Sequence, residues 1–401
     1  MKTWFVVLSV TLIEIAVVGN LSPLTDPARL LTTDFVNFYA AASIVHRGDG
    51  AKLYDRETQE TALQTLLGRR STRYFLHPPF EAAALSPLTR LNLKQAFVLV
   101  TMINVALLGF LPLVLSQCVP LVSRRPYLGM LGFCFFPTFI ALAFAQDSIL
   151  LLFVVSSSYV LLSKRMDMTA GLVLALAAIK FQYLVILVPL LLLRRRLRLG
   201  LGFAIGCGCL TVVCICVTGG VHGLFEYLRF VRDFDANSGY GSLNLAFMVN
   251  LRGFLAGMGW MRHWPGYMWI AGLPLFVVGV AATRVSPSQG MEGLLFSLWV
   301  TIALAAAPYA HYVDMTLLLL PILLALDYIA LNGTGMLTRK LILFACAALV
   351  VLPVLLLVQG GFYWWNSRVY LLFPLIVFFI GGLAAELYSR ATTKAAPQVA
   401  G

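Results

Sequence analysis

The chain has 401 residues, of which 60% are hydrophobic and 11% charged, and its formal net charge is +12. Its apolar runs repeatedly reach the roughly 20 residues that a bilayer core demands, and they lack the polar alternation of outer-membrane strands. This composition excludes an ordinary soluble fold and predicts an all-α, polytopic integral membrane protein surrounded by membrane lipids. The positive charge lies in short clusters between the apolar runs, as the positive-inside rule requires, so we expect no nucleic-acid partner.

The apolar runs and the basic clusters together predict about twelve transmembrane helices, with both chain termini in the cytoplasm. The predicted spans are 3–21, 96–117, 127–145, 148–163, 170–181, 183–193, 199–218, 266–282, 292–307, 315–331, 341–358 and 369–388. Residues 170–193 are long enough for one helix, but a single crossing would place the basic run 194–198 outside. We therefore predict a hairpin of two short helices that turns near "IKFQY", with Lys180 and Gln182 as candidates for lining a cavity.

The predicted outer side carries two segments that are much longer than ordinary connections, residues 22–95 and residues 219–264. Loops of this length are usually functional, so we expect the working surface to face outward. The sequence contains no internal repeat and no separate soluble domain. It therefore predicts a single membrane domain over residues 1–401 that carries these two external loops.

The stretch "TTDFVNFYAAASIVHRG" follows the first apolar run. Phe35, Phe38 and Tyr39 recur there at helical spacing, which predicts an amphipathic helix lying in the outer interface. Asp34 stands at the start of this helix. An acid at this place either caps the helix and complements its dipole, or serves as a functional carboxylate.

Other polar side chains fall where the predicted helices meet the outer surface. His77 stands beside a proline pair that predicts a rigid, non-helical wall, and a lone histidine there is either structural or functional. "FAQDSILL" places Gln146 and Asp147 at one tight turn, and "AAAPYAHYVDM" places His311 and Asp314 at another. The latter two are three residues apart and could share a hydrogen bond. Each of these side chains could also be an interfacial anchor.

The second outer loop begins with a charged helical pattern, "HGLFEYLRFVRDFD", whose charges we expect to be mostly solvated. Arg252, in contrast, lies in the apolar run "LAFMVNLRGFLAG" close to the membrane. An arginine in such a place must find an anion or another partner. A lipid-borne phosphate would serve, so Arg252 is a candidate for binding one.

Several stretches, taken in chain order, resemble one known family. They are "TDFVNFYAAASIVHRG", "LYD", "FLHPPFEAAALSPL", "AQDSILLL", "AIKFQ", "SLNLAFMVNLRG" and "APYAHYVDM". Together they resemble the bacterial polyprenol-phosphate-mannose-dependent α-1,2-mannosyltransferase family, over nearly the whole chain. The order of the motifs, rather than any one of them, carries the resemblance.

The resemblance implies a membrane glycosyltransferase of the GT-C type that transfers a hexose, expected to be mannose, with inversion. The donor would be a polyprenyl-phosphate sugar. The acceptor would be lipid- or glycan-linked, on the outer side of the bacterial cytoplasmic membrane. In such enzymes an acidic residue in the first outer loop acts as general base, and Asp34 matches that position. The family also carries a histidine in a late outer turn, which His311 matches.

The departing phosphate of such a donor needs fixed cations or hydrogen-bond donors. We expect the donor's phosphate and sugar to be bound by Lys180, Arg252, Gln182, Tyr39, Asn37, His77, Gln146, Asp147, Asn244 and Asp314. No metal-binding carboxylate cluster is recognisable in the sequence. We therefore expect metal-independent chemistry and no cofactor.

Other functions are also compatible with the sequence. A transporter or flippase of a lipid-linked sugar would have many spans, broken helices and basic cavity residues too. A non-catalytic scaffold in envelope assembly would need no carboxylate at a cavity. The long outer loops favour the enzyme, because a transporter that alternates access around a midplane site has little use for a large cap on one side.

Overall fold

The computed structural model describes residues 27–71, 73–125, 128, 131–236, 245–260, 265–285, 291–332, 334–359 and 368–395. The predicted span 3–21 and the candidate Asn244 lie outside these ranges. Every regular element within these ranges is an α-helix or a 3-10 turn, which agrees with the predicted all-α fold class.

The first part of the described chain forms short helices. They are α1 (Pro27–Leu30), α2 (Phe35–His46), α3 (Arg56–Leu67) and α4 (Pro79–Leu85), with 3-10 turns at Gly50–Lys52 and Ser86–Arg90. Helix α4 begins at Pro79, because a proline is well tolerated in the first helical turn. The predicted non-helical wall is therefore limited to Pro78, which is extended.

Helix α2 differs from its prediction. An interfacial helix would expose one face to water, but Asn37 and Ala41 are buried as well as Phe35 and Phe38. The reason is that α3, α4 and the turn at Ser86–Arg90 all pack against α2. Helix α2 is thus the centre of a packed unit.

The two long loops fold together into this unit, which we call the cap. Its hydrophobic cluster joins α2, α3 and α4 to one face of a helix from the second loop. The rings of Tyr54 and Tyr227 lie 5.0 Å apart, and Tyr74 meets Phe230 edge-on at 5.7 Å. The cap therefore has a core of its own above the helical bundle.

The remaining helices are mostly apolar. They are α5 (Leu93–Leu115), α6 (Pro120–Arg124), α7 (Leu131–Cys134), α8 (Phe136–Ala143), α9 (Ser148–Ser163), α10 (Asp167–Ala175), α11 (Phe181–Leu192), α12 (Leu197–Thr218), α13 (Val221–Ala236), α14 (Leu251–Gly257), α15 (Pro265–Thr283), α16 (Met291–Ala306), α17 (Leu319–Leu331), α18 (Met336–Gln359) and α19 (Leu372–Ala395). The 3-10 turns among them are Leu176–Lys180, Leu245–Phe247, Tyr312–Leu318 and Val369–Leu371. The second long loop supplies α13 to the cap and α14 to the bundle.

Within the described ranges, six helical segments are long and apolar enough to cross a membrane. They are Leu93–Leu115, Asp167–Leu192, Leu197–Thr218, Tyr312–Leu331, Met336–Leu356 and Val369–Arg390. Large apolar side chains on their outer faces, such as Phe110, Leu197 and Phe344, are exposed, as lipid contact requires. The protein is thus a helical membrane protein. The count of twelve spans stays a prediction, because other apolar helices are shorter than a full span.

The segment Asp167–Leu192 does not run straight. A straight helix of its 26 residues would separate its ends by about 39 Å. Yet Nη1 of Arg196, just beyond one end, lies 2.8 Å from Oδ1 of Asp167 at the other. The chain therefore turns back at the 3-10 turn Leu176–Lys180, and α10 and α11 form the predicted hairpin with Lys180 at its tip.

Glycines allow α10 of this hairpin to approach α12. A Cβ atom added at Gly202 would lie 2.0 Å from the carbonyl oxygen of Met168, and one at Gly171 would lie 2.1 Å from that of Leu199. Backbones approach this closely only where no side chain intervenes. The position of the hairpin is thus fixed by direct backbone contact with its neighbour.

Candidate active site

The site begins at the turn between α8 and α9. Ala145 adopts the left-handed conformation, with a φ of 50°, which residues other than glycine rarely adopt. The following residue, Gln146, is held from α5, where Nδ2 of Asn104 donates to the Gln146 carbonyl oxygen at 2.9 Å. Strained backbone of this kind concentrates at functional sites, so it indicates that this turn belongs to one.

Asp34 of the cap is hydrogen-bonded to this turn. Nε2 of Gln146 donates to Oδ2 of Asp34 at 2.5 Å. Asp34 occupies the N-cap position of α2, but its side chain makes no capping hydrogen bond. The Asp34 carboxylate is therefore held by Gln146 and not by a capping hydrogen bond to α2. It remains exposed.

Lys180 joins three elements at the tip of the hairpin. Its Nζ lies 2.8 Å from Oδ1 of Asp147 and 2.5 Å from Oδ1 of Asp314. It also donates to Oγ of Ser148 at 2.9 Å, and the Ser148 hydroxyl donates to Asp314 at 2.8 Å. The charge of Lys180 is thus balanced by two buried carboxylates, which leaves little of it for the predicted contact with a donor phosphate.

His77 extends the same network into the cap. Its Nδ1 lies 2.8 Å from Oε2 of Glu81 and 3.3 Å from Oδ2 of Asp147. Burial opposes protonation of His77, but the two carboxylates outweigh it and raise the pKa of the imidazole to about 10. His77 is therefore a cation, and its ring packs edge-on against Phe38 at 5.0 Å.

A hydrogen bond between the N-cap residue of α14 and the loop after α16 positions Arg252 at this end of the bundle. Nδ2 of Asn250 donates to the carbonyl oxygen of Ala307 at 2.6 Å. The side chain of Arg252 is buried, and its guanidinium carbon lies 5.2 Å from the ring centre of Tyr309. Stacking on an aromatic face suits a guanidinium that is held ready for a planar or tetrahedral anion.

His311 lies between Asp34 and this network. Its backbone N–H donates to Oδ2 of Asp314 at 2.9 Å, so the predicted contact between these two residues exists, but through the backbone. Burial lowers the pKa of the His311 imidazole, and the carboxylates of Asp314 and Asp34 only partly oppose this. His311 is therefore neutral near pH 7 and can donate or accept a hydrogen bond.

A cavity of about 120 Å³ opens between the network and the cap. Predicted site residues in its walls are His77, Lys180, Gln182, His311 and Asp314. Asp34 is not in the wall, but it lies close enough to His311 to influence the protonation of that imidazole. The structure thus brings five of the predicted residues to one cavity and places Asp34 beside it.

Two predicted residues of α2 serve the packing of the cap. The hydroxyl of Tyr39 donates to the carbonyl oxygen of Leu91 at 2.7 Å, which ties α2 to the entrance of α5. Asn37 is buried among the cap helices, with an exposure of 8%. Neither residue lines the cavity. Their predicted contact with the donor sugar therefore stays a prediction without geometric support.

Three residues of the network were missed from the sequence. Glu81 follows His77 by four residues at the start of a helix, a spacing that signals side-chain pairing and was available in "HPPFE". Ser148 gave no separate signal, because it is an uncharged residue directly after the candidates Gln146 and Asp147, and Asn104 gave none, because it is one polar residue in an apolar stretch. Their roles become visible only when α5, α9 and the hairpin tip are placed together.

His77, Glu81 and Asp147 could also hold a metal ion, because their ligand atoms lie within 4.8 Å of one another. This set could not be predicted from the sequence, because Asp147 is far from the other two residues along the chain. As the structure stands, the carboxylates already face two cations, the His77 imidazolium and the Lys180 ammonium. A metal ion would have to displace the His77 proton, so the set fits an ion poorly.

Charged side chains buried at one end of an apolar bundle are costly, and they are kept where a polar substrate or ion is handled. The fold and the site therefore define a helical membrane protein that works on a polar substrate. The model of glycosyltransferase family 87 matches residues 75–308, more than half of the chain, and the chain belongs to this family. It is accordingly a glycosyltransferase, with a sugar donor and an acceptor as its substrates.

The matched region contains most of the network but not all of the site. His77, Lys180 and Arg252 lie within it, whereas Asp34 and His311 lie beyond its ends. No match was found among curated proteins or among solved structures. The roles of individual residues must therefore be argued from the geometry of this chain.

Proposed function

We propose that the protein transfers a hexose, expected to be mannose, from a polyprenyl-phosphate donor to a lipid- or glycan-linked acceptor, with Asp34 as general base. The observation that supports this is the hydrogen bond from Gln146, which holds an exposed carboxylate beside the cavity that His311 lines. A carboxylate that is oriented yet accessible can take the proton of an incoming hydroxyl. Membership of a glycosyltransferase family supports the reaction class.

In the proposed step the acceptor oxygen attacks the anomeric carbon of the sugar, and the bond from that carbon to the phosphate oxygen breaks. The acceptor proton passes to Asp34, and the electron pair of the broken bond leaves with polyprenyl phosphate. Attack and departure occur on opposite faces of the carbon, so the configuration inverts. General-base assistance of this kind contributes roughly 10²- to 10⁴-fold in rate.

The departing phosphate gains negative charge and needs a fixed partner. Arg252 supports this role best, because it is buried and stacked at 5.2 Å on Tyr309. Neutral His311 can add a hydrogen bond. Lys180 instead positions the tip of the hairpin, since Asp147 and Asp314 already balance its charge.

In this proposal the cap faces the exterior of the bacterial cytoplasmic membrane. The basic residues 194–196 follow the end of α11 remote from Lys180, so they would face the cytoplasm, as the positive-inside rule favours. We propose further that no metal ion or cofactor is needed. This is supported by the pairing of each buried carboxylate of the network with Lys180 or His77.

The substitution Asp34→Asn tests the proposal in native membranes that contain the protein and its acceptor and are supplied with radiolabelled polyprenyl-phosphate mannose. It keeps the size of the side chain but removes the base, so we expect transfer to fall at least about 10²-fold with an unchanged melting temperature. Asp49→Asn, at an exposed position beyond the other end of α2, is the control and should keep wild-type transfer. Near-normal transfer by Asp34→Asn would refute the base, and movement of intact donor across the bilayer without transfer would favour a transporter.

A further inference from the structure

Asp34 lies in the short turn that joins α1 to α2, residues 31–34. The backbone N–H groups of Thr32 and Thr33 donate to carbonyl groups of α1. In contrast, the carbonyl groups of Leu31 and Thr32 receive no backbone N–H from any residue that the structure describes. The backbone just before Asp34 therefore needs hydrogen-bond partners from elsewhere in the chain.

Arg73 supplies these hydrogen bonds. Its Nη1 donates to the carbonyl oxygen of Thr32 and its Nη2 to that of Leu31, each at 2.7 Å. The two carbonyl groups belong to consecutive residues, and Thr32 stands two positions before Asp34. A guanidinium group presents its N–H donors in a rigid plane, so one side chain can hold both carbonyl groups in a fixed orientation.

Arg73 is itself attached to the core of the cap. The next two residues, Tyr74 and Phe75, are buried. The backbone N–H of Phe75 donates to Oε1 of Gln59 on α3 at 2.8 Å. Gln59 is buried too, and its Nε2 donates to the carbonyl oxygen of Leu53 at 2.7 Å. The hydrogen bonds of Arg73 therefore connect the turn to α3, a fixed element of the cap.

The charges of Arg73 and Asp34 also interact. Burial lowers the pKa of the Arg73 guanidinium, the carboxylate of Asp34 opposes this, and the charge of Arg69 adds to it. An arginine remains protonated in spite of such changes, so Asp34 has a permanent cation nearby. Arg73 thus holds the backbone before Asp34 from the cap, while Gln146 holds the carboxylate from the turn between α8 and α9.

We propose that Arg73 is a positioning residue for Asp34 and that it acts through the two carbonyl groups that it holds. This rests on the proposed function, in which Asp34 is the general base. A base must stay within hydrogen-bond reach of the attacking hydroxyl, and a displacement of about 1 Å can cost roughly 10²-fold in rate. The hydrogen bond from Gln146 orients the carboxylate only while the turn stays in place, and Arg73 keeps it there.

The variant Arg73→Lys tests this, because lysine keeps the positive charge but lacks the planar pair of donors. In native membranes supplied with radiolabelled polyprenyl-phosphate mannose, we expect kcat to fall about 10- to 100-fold and the KM for the donor to stay within about twofold. The control is Arg70→Lys, the same exchange at an exposed arginine that holds neither carbonyl group, and it should keep the wild-type kcat. A wild-type kcat in Arg73→Lys would overturn the inference.

Amide hydrogen exchange of the purified protein, measured by mass spectrometry, shows whether a loss has this origin. We expect the peptide that covers residues 31–38 to exchange at least about tenfold faster in Arg73→Lys than in the wild type, because a charged hydrogen bond to the turn is lost. A peptide from α13 should exchange as in the wild type, which shows that the cap remains folded. A lower kcat without faster exchange in residues 31–38 would overturn the inference, since Arg73 would then act by another route.

The double variant Asp34→Asn/Arg73→Lys separates positioning from a general loss of structure. Once the base is removed, Arg73 has nothing left to position, so transfer should equal that of Asp34→Asn alone. A further fall as large as the one that Arg73→Lys causes in the wild type would overturn the inference. If Asp34→Asn alone transferred normally, the base itself would be refuted, whereas full transfer by Arg73→Lys beside an inactive Asp34→Asn would refute only the role of Arg73.

Discussion

Lys180 and Arg252 are both buried cations, but their surroundings differ. Lys180 contacts two carboxylates, at 2.8 and 2.5 Å, whereas Arg252 stacks on an aromatic ring. Removing one partner from a buried ion pair leaves an uncompensated charge, which is costly. A cation–π contact such as that of Arg252 with Tyr309 is worth about 2 kcal/mol when desolvated, so its loss costs the fold less than a broken buried ion pair.

The two variants Lys180→Met and Arg252→Met should therefore fail in different ways. We expect Lys180→Met to lose about 3–5 kcal/mol of stability, seen as a lower melting temperature in detergent. Arg252→Met should lose less stability than Lys180→Met but raise the KM for the donor about 10- to 100-fold, because a charged hydrogen bond to phosphate is lost. Lys94→Met, at an exposed position, is the control for loss of a lysine. A stable Lys180→Met with a raised donor KM would show that Lys180 meets the phosphate directly.

His77 predicts a pH dependence of stability. Its pKa is about 10 in the fold and about 6.5 in an unfolded chain, so its ion pairs stabilise the protein fully below pH 6.5. This contribution is lost as the pH rises from 6.5 to 10. We expect the wild-type melting temperature to fall over that range and the fall to be smaller in His77→Gln. His222→Gln, whose side chain is 82% exposed, should keep the wild-type slope. Equal slopes in all three proteins would contradict the assigned charge of His77.

At the scale of the element, the hairpin of α10 and α11 carries Lys180 to the site. Its position depends on the contact between Gly202 and Met168, where an added Cβ would lie 2.0 Å from a carbonyl oxygen. Backbone must therefore shift if the glycine is replaced. Shifting α10 moves the hairpin tip that carries Lys180, so a substitution at the contact between α10 and α12 should alter the candidate site.

Gly202→Ala should lower stability by about 1–3 kcal/mol and reduce transfer, because overpacking forces α10 away from α12. The control is Gly208→Ala on the same helix, where an added Cβ meets nothing within 4 Å. This control should retain transfer, and alanine even favours the helix. Melting curves and transfer assays on both variants check the expectation. If Gly202→Ala kept the wild-type melting temperature and transfer rate, α10 and α12 could separate without moving Lys180.

The elements that were predicted well are those governed by local physics. The bounds of α9 and α12 follow from apolar length and flanking charge, and the hairpin follows from the basic run after it. Helix α2 was placed correctly, but the prediction of an amphipathic helix with one exposed face is wrong, because both faces are buried. Its aromatic spacing is the same whether a helix lies on a membrane or at the centre of a cap, and only the packing of α3 and α4 decides between them.

At the scale of the whole molecule, every carboxylate of the network has a cationic partner within the network. Three carboxylates, those of Glu81, Asp147 and Asp314, face the cations of His77 and Lys180. Most of these side chains were recognised in the sequence because charge is rare and costly in an apolar chain. Which of them pair could not be predicted, because each pair joins elements from different parts of the chain.

This pairing predicts that transfer does not depend on a divalent ion. Treatment of the purified protein with a chelator such as EDTA should leave the transfer rate within about twofold of the untreated protein, since each carboxylate already contacts His77 or Lys180. A loss of transfer that manganese or magnesium restores would contradict this. If the same loss followed from Glu81→Gln, the set formed by His77, Glu81 and Asp147 would be the metal site.

The amide of Gln146 engages one oxygen of the Asp34 carboxylate and leaves the other. Under the proposed function, an approaching alcohol then meets one free oxygen of the carboxylate and a narrower range of angles of approach. Of the several hydroxyls on a sugar acceptor, the one presented within that range would react. The regiochemistry of the product would thus depend on a side chain that stands 112 positions further along the chain.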